Sequence, residues 1–456
     1  MTQSQTNKSE GIALGRIALP LVAAYLAEFL MFVTTKIVVG DLGYHSLAAV
    51  GISGNLSFEL IAILMGLLSI IGVLCAQAEG AGDKQKAGLA VRQGFIISFF
   101  IGIPATLCVY HLDLILSWTG QDQKVIELSG PFLEGLAFFV VPVMLFSVLR
   151  NFVAALSKAN VVMFISIAAV GLNYLLTVWL VYGGFGISAL GLFGAGLAIT
   201  LVSWAMLVCL LAYVYFTRSL RGYGVFASRW KFDPVLCREI FVLGIPVAGL
   251  VFLEAGMFSA ASILSGLFGA ETLAAYEVVM SWAGIPFVMA MGIAEATMVR
   301  VSFGVGGGSM SRARYSGFYG MSVGCIFLIV LMVVPLGMPQ IIISLFISGG
   351  TPGADEVIAL STQLLFIAAI FQVFDGLQGI AARALRGVKD SFVPLWIAGF
   401  GYWILGIGGG ALLAFYYGLK GPGLWWGLAL GLMTTSLLLA FRFHLITSVR
   451  KSRPNS

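Results

Sequence analysis

Two carboxylates stand where carboxylates are rarely tolerated. Glu254 occupies the middle of VFLEAGMF (251–258), inside an apolar run from Ile240 to Phe268 that carries no other charge. Asp375, in FQVFDGLQGIAARALRG (371–387), has an apolar flank of its own, and Gly376 beside it permits close approach of another helix. A charge at bilayer depth costs about 2.5–3.5 kcal/mol on insertion scales, and such residues usually mark ion or substrate pathways. Loss of water disfavours the charged form of a carboxyl, and a second carboxyl nearby disfavours it further. Two acids of this kind can take up and release a proton. They can equally hold a sodium ion, with carbonyl and hydroxyl oxygens completing the shell. Glu254 and Asp375 are therefore expected to be the ion-coupling acids, and the metal ligands if the ion is sodium.

Three further ionisable residues share the interior of the first half. Glu28 and Glu59 reach similar depth, and Lys36 follows Glu28 by eight residues, or about 12 Å along a helix. Glu28, Lys36 and Glu59 form a candidate charge network, with Lys36 either paired to one of the acids or snorkelling to external water. Glu277 and Glu295 fall near the ends of apolar runs and read first as interfacial charges, Glu295 beside Arg300. Tyr25, Tyr276, Trp179, Trp282 and Trp403 could stack on an organic cation, although most such residues are packing. The five cysteines are scattered singly, and His45, His111 and His444 lie far apart, so no disulfide framework or metal spacing emerges. GVGGGS (304–309) lacks the lysine of a phosphate loop. With no nucleophile–base set and no cofactor motif, an enzyme is not expected, nor any cofactor besides the coupling ion.

The surroundings of these residues are membrane. Of 456 residues, 60% are hydrophobic and 10% charged, with mean hydropathy +1.02; soluble domains carry about 25% charge. Apolar stretches long enough to cross a bilayer recur about twelve times. They run approximately 17–39, 47–75, 93–117, 127–149, 161–183 and 191–216, then 240–267, 272–297, 315–337, 357–382, 392–415 and 424–446. The polar interval Thr217–Glu239 divides them into an amino-terminal lobe (1–216) and a carboxyl-terminal lobe with a short basic tail (240–456), joined by a linker (217–239). With both termini inside, only Lys36, Lys124 and Lys420 of the 25 basic residues miss the cytoplasmic side, which accounts for the net charge of +5 without nucleic acid.

The halves repeat. A shift of 226 residues lays LPLVAAYLAEFLMF (19–32) on IPVAGLVFLEAGMF (245–258), so that Pro20 meets Pro246 and Glu28 meets Glu254. The same shift carries Met65-Gly66 to Met291-Gly292, and Gly80 and Gly82 to Gly306 and Gly308. An even number of spans per half makes this a parallel repeat, a frequent transporter plan with its site between the halves near midplane.

AQAEGAGDKQKAGLAVRQG (76–94), LAAYEVVMSW (273–282), ATMVRVSFG (296–304) and ALRGVKDSFVP (384–394) resemble the multidrug and toxic compound extrusion (MATE) family, in its bacterial NorM-like branch. The resemblance extends over essentially the whole chain. It implies an all-α membrane protein of twelve helices in two six-helix lobes forming a V. It also implies export of small, mostly cationic or amphiphilic organic compounds in exchange for inward sodium or protons. Glu254 and Asp375 match that branch's seventh-span glutamate and tenth-span aspartate. Elsewhere the chain departs: in VTTKIVVG, Thr35 stands in place of an aspartate and Lys36 follows it, Glu28 replaces a glutamine, Glu59 is added, and Phe371 replaces an aromatic hydroxyl. Thr35, Tyr276, Glu277, Trp282 and Phe371 are the candidate substrate-pathway residues. The expected setting is the bacterial inner membrane with both termini cytoplasmic, the protein acting as a monomer. The alternatives are a lipid-linked saccharide flippase of the same superfamily, disfavoured by the cytoplasmic placement of basic residues, and a membrane receptor or structural protein without turnover.

Overall fold

In a bilayer, backbone N–H and C=O groups find no water, so apolar segments satisfy them internally by coiling into helix. The computed structural model describes residues 3–118, 123–184, 186–226, 231–346 and 354–449. Among these residues, twelve helices are long and apolar enough to cross a membrane. Spans 1 to 6 are Ser9–Gly40, Tyr44–Gly80, Lys84–Tyr110, Gln123–Ala155, Asn160–Tyr182 and Gly191–Phe216. Spans 7 to 12 are Pro234–Gly266, Ala270–Gly306, Met310–Gly337, Asp355–Gly387, Phe392–Tyr416 and Lys420–Ser448. Extended pairing among the described residues is limited to one isolated bridge, Gly184 with Ile187. The all-α class holds, and every expected segment overlaps one span. The third ends earlier than its hydropathy suggested, because a separate short helix, Leu112–Ser117, takes up the last residues. The basic tail beyond Val449 lies outside the described residues.

The repeat extends to backbone conformation. Gly43 and Gly269, which precede spans 2 and 8, have φ of 107° and 113°, a region side chains avoid. Gly82 and Gly308 have φ of 75° and 72°. The next residues, Asp83 and Ser309, each cap a span by accepting a hydrogen bond from the backbone N–H of Lys86 and Arg312, at 3.0 and 3.3 Å.

By packing, residues 23–244 (Ala23–Gly244) form one compact unit, and Ile245–Ser456 together with Met1–Val22 form a second. The division falls within spans 1 and 7 and not in the 217–239 linker. Within the first unit the linker is tied down. Arg92 Nη1 donates to Gly224 O at 2.8 Å, Gln93 Nε2 donates to Lys231 O at 2.8 Å, and the Tyr223 hydroxyl donates to Glu79 Oε2 at 2.7 Å. Burial and the Glu79 carboxylate both push the Tyr223 phenol up.

Span 11 is unusual. It is π-helical over Phe400–Gly408 and again over Leu412–Tyr416. Glycines let it lie directly on span 12: a Cβ at Gly427 would come 2.2 Å from Gly410 Cα, and one at Gly431 would come 2.4 Å from Gly401 O. Stretches of π-helix often accompany functional sites, and this one faces the acids.

Candidate functional site

Spans 7, 10 and 11 converge on Glu254. Gln378 Nε2 donates to Glu254 Oε1 at 2.9 Å, and the Tyr402 hydroxyl donates to Gln378 Oε1 at 2.7 Å. Gln378 and Tyr402 are 1% and 0% exposed, so water does not compete for the bond between them, while Glu254 itself is half-buried. Gln378 follows Asp375 by three residues, which puts the two on one face of span 10. The π-helical stretch aims consecutive residues of span 11 at different partners, for the indole N–H of Trp403 donates to Leu253 O at 3.3 Å.

Asp375 is enclosed, at 4% exposure. Its Oδ1 is buried and finds no protein donor, and the same is true of Gln372 Oε1 one turn earlier. Gln372 spends its amide N–H on Leu328 O, at 3.3 Å. Gln378, three residues beyond Asp375, brings Glu254 to the same face of span 10. Two carboxylates and an amide oxygen, with too few donors among them, form an oxygen-rich site suited to a proton or a small cation.

The aromatic residues nearby are packed against one another. Trp425 meets Phe371 at a centroid distance of 5.3 Å and Tyr276 at 5.7 Å. The Tyr276 hydroxyl donates to Phe258 O at 3.0 Å. Tyr276, Phe371 and Trp425 are all buried. Glu277 is exposed and accepts from the Ser262 hydroxyl at 3.0 Å. Trp282 is half-buried, its indole N–H without an acceptor.

The charges of the first half pair differently from expectation. Glu28 takes Arg150, whose Nη1 lies 3.0 Å from Oε1 and 2.9 Å from Oε2. The guanidinium also covers the Tyr25 ring, 4.8 Å from its centroid. The Arg150 side chain is buried, 4% exposed. Lys36 Nζ bonds Asn55 Oδ1 at 3.3 Å, and neither Glu28 nor the half-buried Glu59 is paired with it. Thr35 is buried, donating to Met31 O at 3.1 Å and accepting from Asn173 Nδ2 at 2.9 Å.

Glu295, read from sequence as an interfacial charge near Arg300, is instead buried at 7% exposure. It pairs with Arg383 at 3.3 Å, while Arg300 is held by Glu10 through bonds of 2.6 and 2.9 Å. Gln378, Tyr402, Arg383 and Arg150 were thus missed as members of these sites. Only Gln378 had a local signal, its place one turn beyond Asp375.

Twelve spans on a repeated plan, with a half-buried and a buried acid in two of them, define a multi-pass membrane protein. The MatE family model matches residues 20–179 and again 246–412, two matches whose starts are one repeat apart. The chain belongs to the MatE family. It is 33% identical to the multidrug resistance protein NorM of Burkholderia vietnamiensis, over 95% of this chain and 93% of that one. The eukaryotic MATE transporter AtDTX14 superposes with a TM-score of 0.85 at 24% identity, covering 97% of this chain and 99% of the other. A MOP superfamily transporter from Pyrococcus furiosus gives a TM-score of 0.88 at 20% identity, covering 97% and 96%. These two structures share the fold.

Proposed function

We propose that this chain is a secondary antiporter, exporting small cationic or amphiphilic organic compounds in exchange for inward sodium ions or protons. One observation carries the reading: Asp375 is buried with an oxygen that no protein group satisfies, beside Glu254, which is fixed by Gln378 and Tyr402. A buried oxygen of this kind demands a partner, and a proton or an oxygen-coordinated cation supplies one. Relatives named for multidrug resistance support the substrate class. Ion and substrate couple by favouring different conformations, which requires only that each bind the two states with different affinity. The reading has lobes 1–216 and 240–456 alternate access to the two sides of a bacterial inner membrane, with both termini and the 217–239 linker cytoplasmic and the monomer as working unit.

The test is transport by purified protein in liposomes, with ethidium as the organic-cation probe and sodium and pH gradients imposed separately. Ethidium movement against its gradient under at least one ion gradient, and none without, is the expected result. A correctly folded preparation that moves no ethidium under either gradient contradicts the proposal.

A further inference from the structure

We propose that Glu295 is a positioning residue for ion coupling: it holds Arg383 away from Glu254, which the arginine would otherwise neutralise. This rests on the reading that Glu254 couples to the ion, and it adds a residue outside the acid pair. The protein carries its own control in the repeat. Glu28 and Glu254 stand 226 residues apart, and the fourth span of each half carries arginine near its carboxyl end, Arg150 in the first and Arg383 and Arg386 in the second. Those span ends are built alike. Each finishes on a non-glycine residue with positive φ, Ser157 at 55° and Lys389 at 62°. The closing bonds also correspond, from Ser157 N to Ala154 O and Lys158 N to Val153 O, and from Lys389 N to Arg386 O and Asp390 N to Leu385 O. Arg150 stands seven residues before Ser157, and Arg383 six before Lys389.

From similar positions the two arginines go to different acids. Arg150 lies directly on Glu28, at 2.9 and 3.0 Å. Arg383 Nε instead lies 3.3 Å from Glu295 Oε2, with side chains 14% and 9% exposed. Arg383 nevertheless remains in the neighbourhood of Glu254. Its Nη1 donates to Gly379 O at 3.4 Å, and the preceding residue, Gln378, is the one that holds Glu254. The difference lies in the second span of each half: 226 residues before Glu295 stands Ser69, which carries no charge. A guanidinium withdrawn from water seeks a carboxylate. With Ser69 in the second span, Arg150 takes the first-span acid. With Glu295 there, Arg383 is drawn aside and Glu254 keeps a neutral amide as its partner. An arginine bound on Glu254 would be a permanent counter-cation, competing with the proton or sodium ion for the same oxygens.

The test is ethidium export in liposomes under the ion gradient that drives the wild type, normalised to inserted protein. Glu295→Gln should raise the ion concentration for half-maximal export about tenfold or more while leaving the ethidium KM unchanged. Glu295→Asp, which keeps the carboxylate, should stay near wild type. Adding Arg383→Gln to Glu295→Gln removes the competing cation and should return ion dependence to within about threefold of wild type. A merely structural pair would give no such rescue. Wild-type ion dependence in Glu295→Gln, or a double variant as impaired as the single, overturns the proposal. If Glu295→Gln does not insert, the double variant decides alone, since it orphans no charge: export within about threefold of wild type is expected, and its loss overturns the proposal. Glu254→Gln in the same assay separates the two levels. Normal export by Glu254→Gln defeats the underlying coupling assignment; a dead Glu254→Gln beside a normal Glu295→Gln defeats only the role of Glu295.

Discussion

Tyr402→Phe removes a single oxygen from the path Tyr402–Gln378–Glu254. The hydroxyl donates to Gln378 Oε1 at 2.7 Å, where Tyr402 and Gln378 are 0% and 1% exposed. Its loss leaves a buried amide oxygen unsatisfied, at a cost of about 1–3 kcal/mol. The amide can recover part of that cost by rotating, and Glu254 then loses its fixed donor. A coupling energy of about 1–3 kcal/mol corresponds to a change of about 5–150-fold, so ion-driven export at a fixed gradient should fall by that factor. Thermal unfolding of the purified variant, run in parallel, should show a lower midpoint. Adding Gln378→Leu to Tyr402→Phe removes the orphaned amide but also strips Glu254 of its donor, so the midpoint should stay below wild type. Export should remain low, because nothing then orients Glu254. Wild-type export by Tyr402→Phe with an unchanged melting temperature would refute the reasoning.

Arg150→Met leaves Glu28 uncompensated. The destabilisation should fall toward the lower end of about 3–5 kcal/mol because Glu28 keeps 28% exposure, and adding Glu28→Gln should recover much of it in a melting assay. Glu10→Ala strands Arg300, the two side chains of the pair being only 8% and 10% exposed, and should cost about 3–5 kcal/mol; replacement of both by apolar residues should be far milder. Lys36→Met should change stability by less than about 1 kcal/mol, since among the described residues Lys36 bonds the exposed Asn55 and no acid, and a larger loss would point to a partner among the acids after all.

What the sequence disclosed and what it withheld divide along the range of the signal. Glu254 and Asp375 are visible because a charge inside an apolar run is a local anomaly. The spans are visible because their length is fixed by the bilayer, and the repeat because Pro20, Glu28 and Gly43 return at one offset. The partners of the charges are set by packing between spans distant in sequence. Gln378 and Tyr402 are 24 residues apart and meet through a π-helical stretch that a run of glycines permits but does not specify. Arg150 and Arg383 look in sequence like any basic residue near the end of a span. Whether such a side chain snorkels outward or folds inward depends on which carboxylate lies within its reach. Glu10 sits in a polar amino-terminal stretch with no apolar run around it, and only its bidentate bond to Arg300 sets it apart.

The central claim is that Glu254 and Asp375 carry the ion coupling. The most direct measurement is ethidium export by wild type, Glu254→Gln and Asp375→Asn in liposomes, with sodium and proton gradients imposed one at a time. The account predicts gradient-driven export by the wild type alone, with both amide variants folded and inserted at normal levels. Export at the wild-type rate by both variants, under either gradient, would contradict it.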